Sequence, residues 1–176
     1  MTRSQKLVVY FSKVGEQYNV GIITEGNTAI VAKIIASAID ADIFEVKVKN
    51  DDYSASYKAL ADEALREKKA DARPKITGDV MNFDDYDIIF IGCPNWWADM
   101  PMALYTFIEK HDWSNKIIVP FVTHEGSGLS SIPSKMKAAA NPKKMLNGFE
   151  VFGHIAQNNR DEAREKVLIW LKDLGF

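Results

Sequence analysis

An α/β domain with a five-stranded, all-parallel sheet between two helical layers is the fold the sequence predicts, on three observations. Three short runs, residues 7–11, 87–92 and 116–122, are rich in β-branched residues and nearly all apolar, as expected of strands covered on both faces. Segments of helical period separate the strands, so the chain reads βαβαβαβαβα. Each run also stops abruptly at a loop of glycine, hydroxyl or aromatic residues. In open α/β folds such loops gather at the carboxyl edge of the sheet, where ligands bind.

Taken in order, residues 6–11 form a central strand. After it, Ile30, Val31, Ile34, Ile35 and Ala38 recur at helical spacing over 28–39, with Asn27 or Thr28 suited to cap the first turn. Residues 42–48 alternate Ile43, Phe44, Val46 and Val48 with charged Glu45 and Lys47, the mark of a half-exposed strand near a sheet edge. An amphipathic helix over 54–70 follows, its charge run at 62–69 read as a solvated face. Pro74 and Gly78 punctuate a loop before the third strand, 86–92. Pro101 then opens a helix to about Lys110, and 116–122 form the fourth strand, where Pro120 removes one ladder donor. A short helix is expected at 132–140 and a fifth strand at 149–154, bracketed by Gly148 and Gly153. In the last helix, Asn159 with Glu162 three residues on makes a capping-box-like start, and Ala163, Val167, Leu168, Leu171 and Leu174 form one apolar stripe.

Composition bounds the function. The 176 residues suit a single domain over 1–176, and 47% hydrophobic with 26% charged residues at a net charge of -2 describes a globular chain. Lys and Arg are scattered, so the basic patch of a nucleic-acid binder is missing. The apolar stretches fall well short of the roughly 18 residues that cross a bilayer, and residues 1–5 lead straight into a strand, so neither membrane insertion nor a signal peptide is expected. Cys93 is the lone cysteine, read as a small buried hydrophobe, and no Cys/His spacing suggests a metal. A reducing cytoplasm is the expected compartment.

Each loop permits its own chemistry. Gly26-Asn27-Thr28 at a helix start presents backbone amides, a hydroxyl and the positive end of the helix dipole, which suit a phosphate as well as an ordinary N-cap. Residues 21–28 also match Walker A spacing, except that Asn27 stands where lysine belongs, and no acid ends the third strand to hold magnesium, which argues against a nucleoside triphosphatase. Pro94-Asn95-Trp96-Trp97 places two tryptophans where they either fold onto the core or cover a flat ligand. Residues 123–128 add hydroxyls, two glycines and a titratable His124, without the spacing of a nucleophile elbow or a zinc helix. His111 and His154 are read as structural.

Together the three loops resemble the flavodoxin family, most closely a subgroup with Pro-Asn-Trp-Trp and Thr-His-x-Gly-Ser-Gly loops. The resemblance runs nearly end to end, over Tyr10, Phe11 and Ser12, Gly26 to Thr28, the strand at 86–92, Pro94 to Trp97, Pro101, and Pro120 to Gly128. It implies a flavodoxin-like three-layer sandwich of sheet order 2-1-3-4-5, with FMN at the carboxyl edge. Ser12, Gly26, Asn27 and Thr28 would hold the phosphate through hydroxyls and amides. Pro94, Asn95, Trp96 and Trp97 would cover the isoalloxazine, Trp96 touching the ring. Thr123, His124, Glu125, Gly126, Ser127 and Gly128 would meet the pyrimidine edge. The phosphate loop departs from the family's usual Ser/Thr-x-Thr-Gly-Asn-Thr, since residues 13–25 replace the short x-Thr segment; Gly15 and Gly21 mark them as an excursion.

By that resemblance the chain is a redox protein carrying electrons through bound FMN, its partners redox proteins or a small-molecule electron acceptor. Asp99 and Glu125 would be the acids that lower the flavin potential. An FMN-dependent NAD(P)H:quinone-type reductase is the alternative, with His124 as proton donor, because net charge -2 is little for an acidic shuttle. From another class stands a flavin-free binding or signalling module; its receiver-domain version expects acids after the first strand, where Ser12 and Lys13 occur.

Overall fold

The computed structural model describes residues 5–176, so the reading of residues 1–4 lies outside the described residues. The first strand, β1 (Gln5–Tyr10), buries Leu7, Val9 and the following Phe11 on one face and Val8 and Tyr10 on the other. Period-two alternation with both faces apolar is what a strand between two helical layers requires. Then come a small hairpin, β2 (Gly15–Gln17) and β3 (Gly21–Ile23), and helix α1 (Asn27–Ile39). Next are β4 (Asp42–Glu45), β5 (Lys47–Val48), α2 (Tyr57–Lys69), β6 (Ile76–Thr77) and, after a 3-10 turn at Phe83–Asp85, β7 (Tyr86–Pro94). The remainder runs α3 (Met102–Ile108), β8 (Ile117–His124), α4 (Ile132–Ala140), β9 (Lys144–Met145), β10 (Phe149–Phe152), α5 (Gly153–Asn158) and α6 (Arg160–Asp173).

The main sheet has the order β4-β1-β7-β8-β10 with every pairing parallel, which is the expected 2-1-3-4-5. A short further strand, β9, pairs with Ile117 and Ile118 at the start of β8, while β10 pairs with residues 121–124 at its end. The two therefore lie in line along one edge, and the fifth strand of the prediction is the second half of a broken one. Leu7, Ile89, Ile91, Leu104, Phe107 and Met136 lie in the core of one face; Val8, Ile35, Phe90, Val119, Val167 and Leu171 lie in that of the other. Near the base of β8, Lys116 is buried with its ammonium donating to the Asp84 carbonyl (2.8 Å), above the Phe83 ring.

Two expected boundaries move. The strand at 42–48 leaves the main sheet after Glu45: the Val46 amide still donates to Tyr10 O (2.8 Å), and then Lys47 and Val48 pair antiparallel with β6. The strand at 149–154 stops at Phe152, and α5, absent from the sequence reading, begins at Gly153. His154 is thus in a first helical turn rather than at a strand end. Gly153 makes room for the Asn27 side chain, whose Nδ2 would lie 2.3 Å from a Cβ there, so this glycine does not punctuate a strand. At the start of α6, the Asn159 side chain accepts from the Glu162 amide and donates to its carboxylate, the reciprocal cap the sequence predicts.

Gly92 pairs with Phe121 across β7 and β8, and a Cβ on it would stand 2.0 Å from the Phe121 ring. Gly92→Ala is expected to lower stability by about 1–3 kcal/mol through overpacking, seen as a lower urea midpoint with an unchanged slope.

Candidate functional site

The first loop is shaped by a hydroxyl and a glycine. Ser12 Oγ accepts from the Ala29 amide (3.1 Å), so Ser12, rather than Asn27 or Thr28, caps α1, whose N-cap residue Gly26 has no side chain to do so. A Cβ on Gly26 would fall 2.0 Å from Ser12 Oγ, and only glycine admits this approach. The amides of Asn27 and Thr28, as the first helical residues, lack intrahelical acceptors by construction. Glu25 is held by Lys33 (2.7 Å) and Arg160 (3.0 Å), and the Lys33 hydrogen bond foremost keeps its carboxyl below the usual carboxylate range.

The excursion at 13–25 is the β2–β3 hairpin. Its turn places Asn19 at φ 57° and Gly21 at φ 96°. At its base Glu16 N donates to Ala55 O (2.9 Å) and the Glu16 carboxylate accepts from Tyr57 N (2.9 Å) at the start of α2. At its tip Asn19 Nδ2 reaches Glu125 Oε2 (3.1 Å) in the third loop. Lys13, the local cation, is engaged by Asp51 at 2.9 Å.

In the second loop Trp96 and Asp99 exchange backbone hydrogen bonds (3.0 and 3.2 Å) around Trp97 and Ala98, both left-handed at φ 59° and 61°. This is the geometry of a type I′ turn, which Asn-Gly normally occupies, and each non-glycine residue there costs about 1–2 kcal/mol. The surroundings hold it in place. Trp97 Nε1 donates to Ala61 O (2.8 Å), Lys68 donates to Trp97 O, Ala98 N donates to Asn95 Oδ1 (2.9 Å) and Ser131 Oγ donates to Ala98 O (2.8 Å). Asn95 Nδ2 meanwhile reaches Gly128 O and Ser130 Oγ (2.9 Å each), tying this loop to the third. Trp96 is half-buried, edge-on to Phe11 (5.1 Å) and Tyr53 (5.6 Å). Asp99, expected from the sequence to lower the flavin potential, is buried and satisfied by Met100 N, Tyr105 OH and Lys135 Nζ, each at 2.7 Å.

The third loop is joined to the first by two buried hydroxyls, Thr28 Oγ1 and Thr123 Oγ1, 2.7 Å apart. Glu125 is committed: Oε1 accepts from His154 N (2.7 Å), and Oε2 meets His154 Nδ1 (2.8 Å) as well as Asn19. His124 Nδ1 accepts from Gly126 N (2.9 Å), which places the proton of the neutral ring on Nε2. Burial depresses the His124 pKa, partly opposed by Glu150 and Glu125. Cys93 is fully buried and its thiol pushed up by desolvation, in keeping with an inert side chain.

These loops enclose a cleft of about 260 Å³ at the carboxyl edge. Of the sequence-predicted residues, Asn27, Pro94, Asn95, Trp96, Thr123, His124, Glu125 and Ser127 line it. Trp97 lines a second hollow beside it, Ser12 borders a third with Lys13 and Tyr53, and Thr28 lies buried beneath Thr123. Gly26, Gly126 and Gly128 shape the loops without lining any of the three. The sequence reading missed Gln17, Tyr18 and Tyr57, which complete the cleft's outer wall. Gly15 and Gly21 flanking a Tyr-Asn pair were a hairpin signal; nothing local could have placed α2 against it. On the cleft wall, Asn27 is half-buried and its Oδ1 is buried without a hydrogen-bond partner. Among the described residues no helix is long and apolar enough to cross a membrane, and no group of His, Cys, Asp and Glu is placed to hold a metal ion.

Comparison with known proteins agrees with this architecture. A family model described as Flavodoxin matches residues 5–167. A provisionally assigned flavoprotein from Bacteroides eggerthii superimposes with a TM-score of 0.74 at 23% identity, covering 99% of each chain. Another from Bacteroides uniformis gives 0.74 at 26% identity over 96% of this chain and 98% of its own. A flavoprotein in complex with FMN from Lactobacillus acidophilus gives 0.67 at 23% identity, over 84% of this chain and 93% of its own. No curated protein matches the chain.

Two outcomes test the local geometry. Thr28→Val or Thr123→Val alone should cost about 1–3 kcal/mol by stranding a buried hydroxyl, while the double variant should recover much of the loss, as read from urea titrations in a double-mutant cycle. Because the folded His124 binds its proton less tightly than the unfolded chain does, its stability contribution is complete above about pH 6.5 and lost as pH falls through the depressed folded value. An NMR titration of the imidazole should accordingly show a midpoint below that of a free histidine.

Proposed function

The chain belongs to the flavodoxin family, and on that premise we propose that it binds FMN in the carboxyl-edge cleft and carries electrons through it. The observation that carries this reading is the orphaned Asn27 Oδ1, a buried acceptor at the helix start beside a cleft lined by aromatic, hydroxyl and amide side chains together with His124 and Glu125. A ribityl hydroxyl is a donor of the kind it lacks. The residues present fit the rest of the cofactor too. The amides at the start of α1 and the nearby hydroxyls suit a phosphate dianion. Trp96 and Pro94 offer a flat apolar wall, and His124 Nε2–H with the Ser127 hydroxyl offers polar contacts for a ring edge.

FMN, when bound, supplies one- and two-electron chemistry that no side chain here provides. The protein's share is to orient it, exclude water and tune its charge. Tuning falls to the neutral His124 and the backbone, since Asp99 and Glu125 are already paired with Lys135 and His154. Redox partner proteins or a small-molecule acceptor would take the electrons. The reductase reading gains from the second hollow, which adjoins the cleft and is lined by apolar side chains of α2 and the tryptophan turn.

Purified protein is expected to be yellow and to release FMN on denaturation; a colourless protein that takes up no added FMN would defeat the proposal. Trp96→Ala should weaken FMN binding at least tenfold by fluorescence titration. Unchanged affinity with a lower melting temperature would instead make Trp96 a core residue held by Phe11 and Tyr53.

A further inference from the structure

Trp96, on the wall of the cleft assigned to FMN, is the first of three side chains in contact. Its ring meets that of Tyr53 edge-on with centroids 5.6 Å apart, and the Tyr53 hydroxyl donates to Glu67 Oε2 at 2.7 Å. A line of contacts thus leads from the cleft to a carboxylate on α2. Tyr53 and Glu67, both half-buried, border a separate hollow of about 370 Å³ with Val48, Asn50, Asp52 and Glu63, through which solvent reaches them. Tyr53 differs from the other tyrosines in combining the two contacts. Tyr10, Tyr86 and Tyr105 also face carboxylates, those of Glu45, Asp42 and Asp99, but among the described residues no ring contact joins them to an aromatic of the cleft. Tyr18 and Tyr57 line the cleft and pack on each other (5.6 Å), with no carboxylate on either hydroxyl among the described residues.

A phenol that loses an electron becomes strongly acidic, so tyrosine is oxidised readily only where a base takes its proton in the same event. Glu67 is such a base. Burial pushes the Tyr53 hydroxyl far above its usual value, so it keeps its proton at rest. Burial also holds the Glu67 carboxyl above the usual carboxylate range, against the Tyr53 hydrogen bond, which makes it a better proton acceptor than an exposed glutamate. Lys13 lies 5.6 Å from the Tyr53 ring centroid, but Asp51 offsets its charge at 2.9 Å.

We propose that Trp96, Tyr53 and Glu67 form a hole-transfer path that ends on a redox-active Tyr53. The assignment rests on FMN binding in the cleft. Under blue light Trp96 gives one electron to the excited, oxidised flavin; Tyr53 then returns an electron to Trp96, and its phenolic proton passes to Glu67 Oε2. Tyr53 is left as a neutral radical and Glu67 as a neutral acid, so no new charge is stranded in the protein at either group. The oxidising hole is thereby moved from the cofactor wall to a side chain that reductants in solution can refill.

The test reads the radical itself. FMN-loaded protein is illuminated with a cobalt(III) ammine present, an irreversible sink that takes the electron from the flavin, and the frozen sample is examined by EPR. A tyrosyl signal is expected whose hyperfine structure collapses in protein made with ring-deuterated tyrosine. It should be absent from Tyr53→Phe and at least tenfold weaker in Glu67→Gln, which keeps an acceptor for the hydroxyl but takes no proton. A nitroso spin trap should leave its adduct on Tyr53, located by peptide mass spectrometry in the wild-type chain, and this decides the matter even if neither variant folds. No tyrosyl signal, an adduct on Tyr18 or Tyr57 instead, or an undiminished signal in Glu67→Gln would overturn the path. A chain that takes up no FMN, read from flavin absorbance before illumination, would overturn the reading beneath it.

Discussion

Burial of β1, β7 and β8 on both faces is the constraint from which the rest follows. Strands covered on both sides must satisfy their backbone within the sheet, and where they end the loops must take over that duty. Here the takeover is visible bond by bond. Phe11 N donates to Gly92 O and Asn95 N to Thr123 O, extending the ladder past the assigned strands, after which side chains continue the work: Ser12 on α1, Asn95 on the third loop, Thr28 on Thr123. Loops that are joined to one another at the same edge enclose a cleft, so the binding geometry is a by-product of completing the sheet.

The same logic separates residues that build the cleft from those free to act in it. Asn95, Thr28, Ser12 and Glu125 have polar atoms engaged inside the protein, while Asn27 Oδ1 and the second imidazole nitrogen of His124 are left over. Acids that look like tuning charges in the sequence turn out to be structural. Asp99 anchors the turn through Met100, Tyr105 and Lys135, and Glu125 holds the start of α5 and the hairpin tip.

Much of the fold was legible from local pattern, because period and capping are local. The strand runs, the helix at 132–140 and the Asn159 cap are all readable this way. What was not legible depends on approach between distant segments. Gly153 reads as a strand stop until Asn27 is seen against it, and the departure of Lys47 and Val48 from the main sheet depends on a partner at Ile76 and Thr77. Trp96 shows the limit for the cleft itself. Sequence posed core and ligand cover as rivals, yet one side chain meets Phe11 and Tyr53 and also lines both hollows. Tyr57 was invisible for the same reason, being set on a helix surface that only the hairpin turns into a wall.

The hairpin has a bearing on how transferable the cleft is. Its base is bonded to Ala55 and Tyr57 ahead of and within α2, and its tip to Glu125, which in turn holds α5. A transplant of the three strand-end loops into another parallel sheet would therefore carry over the floor and leave the walls behind. Surface changes at the start of α2, remote in sequence from the strand-end loops, would reshape the cleft wall, because Tyr57 lines it and the hairpin base is bonded there.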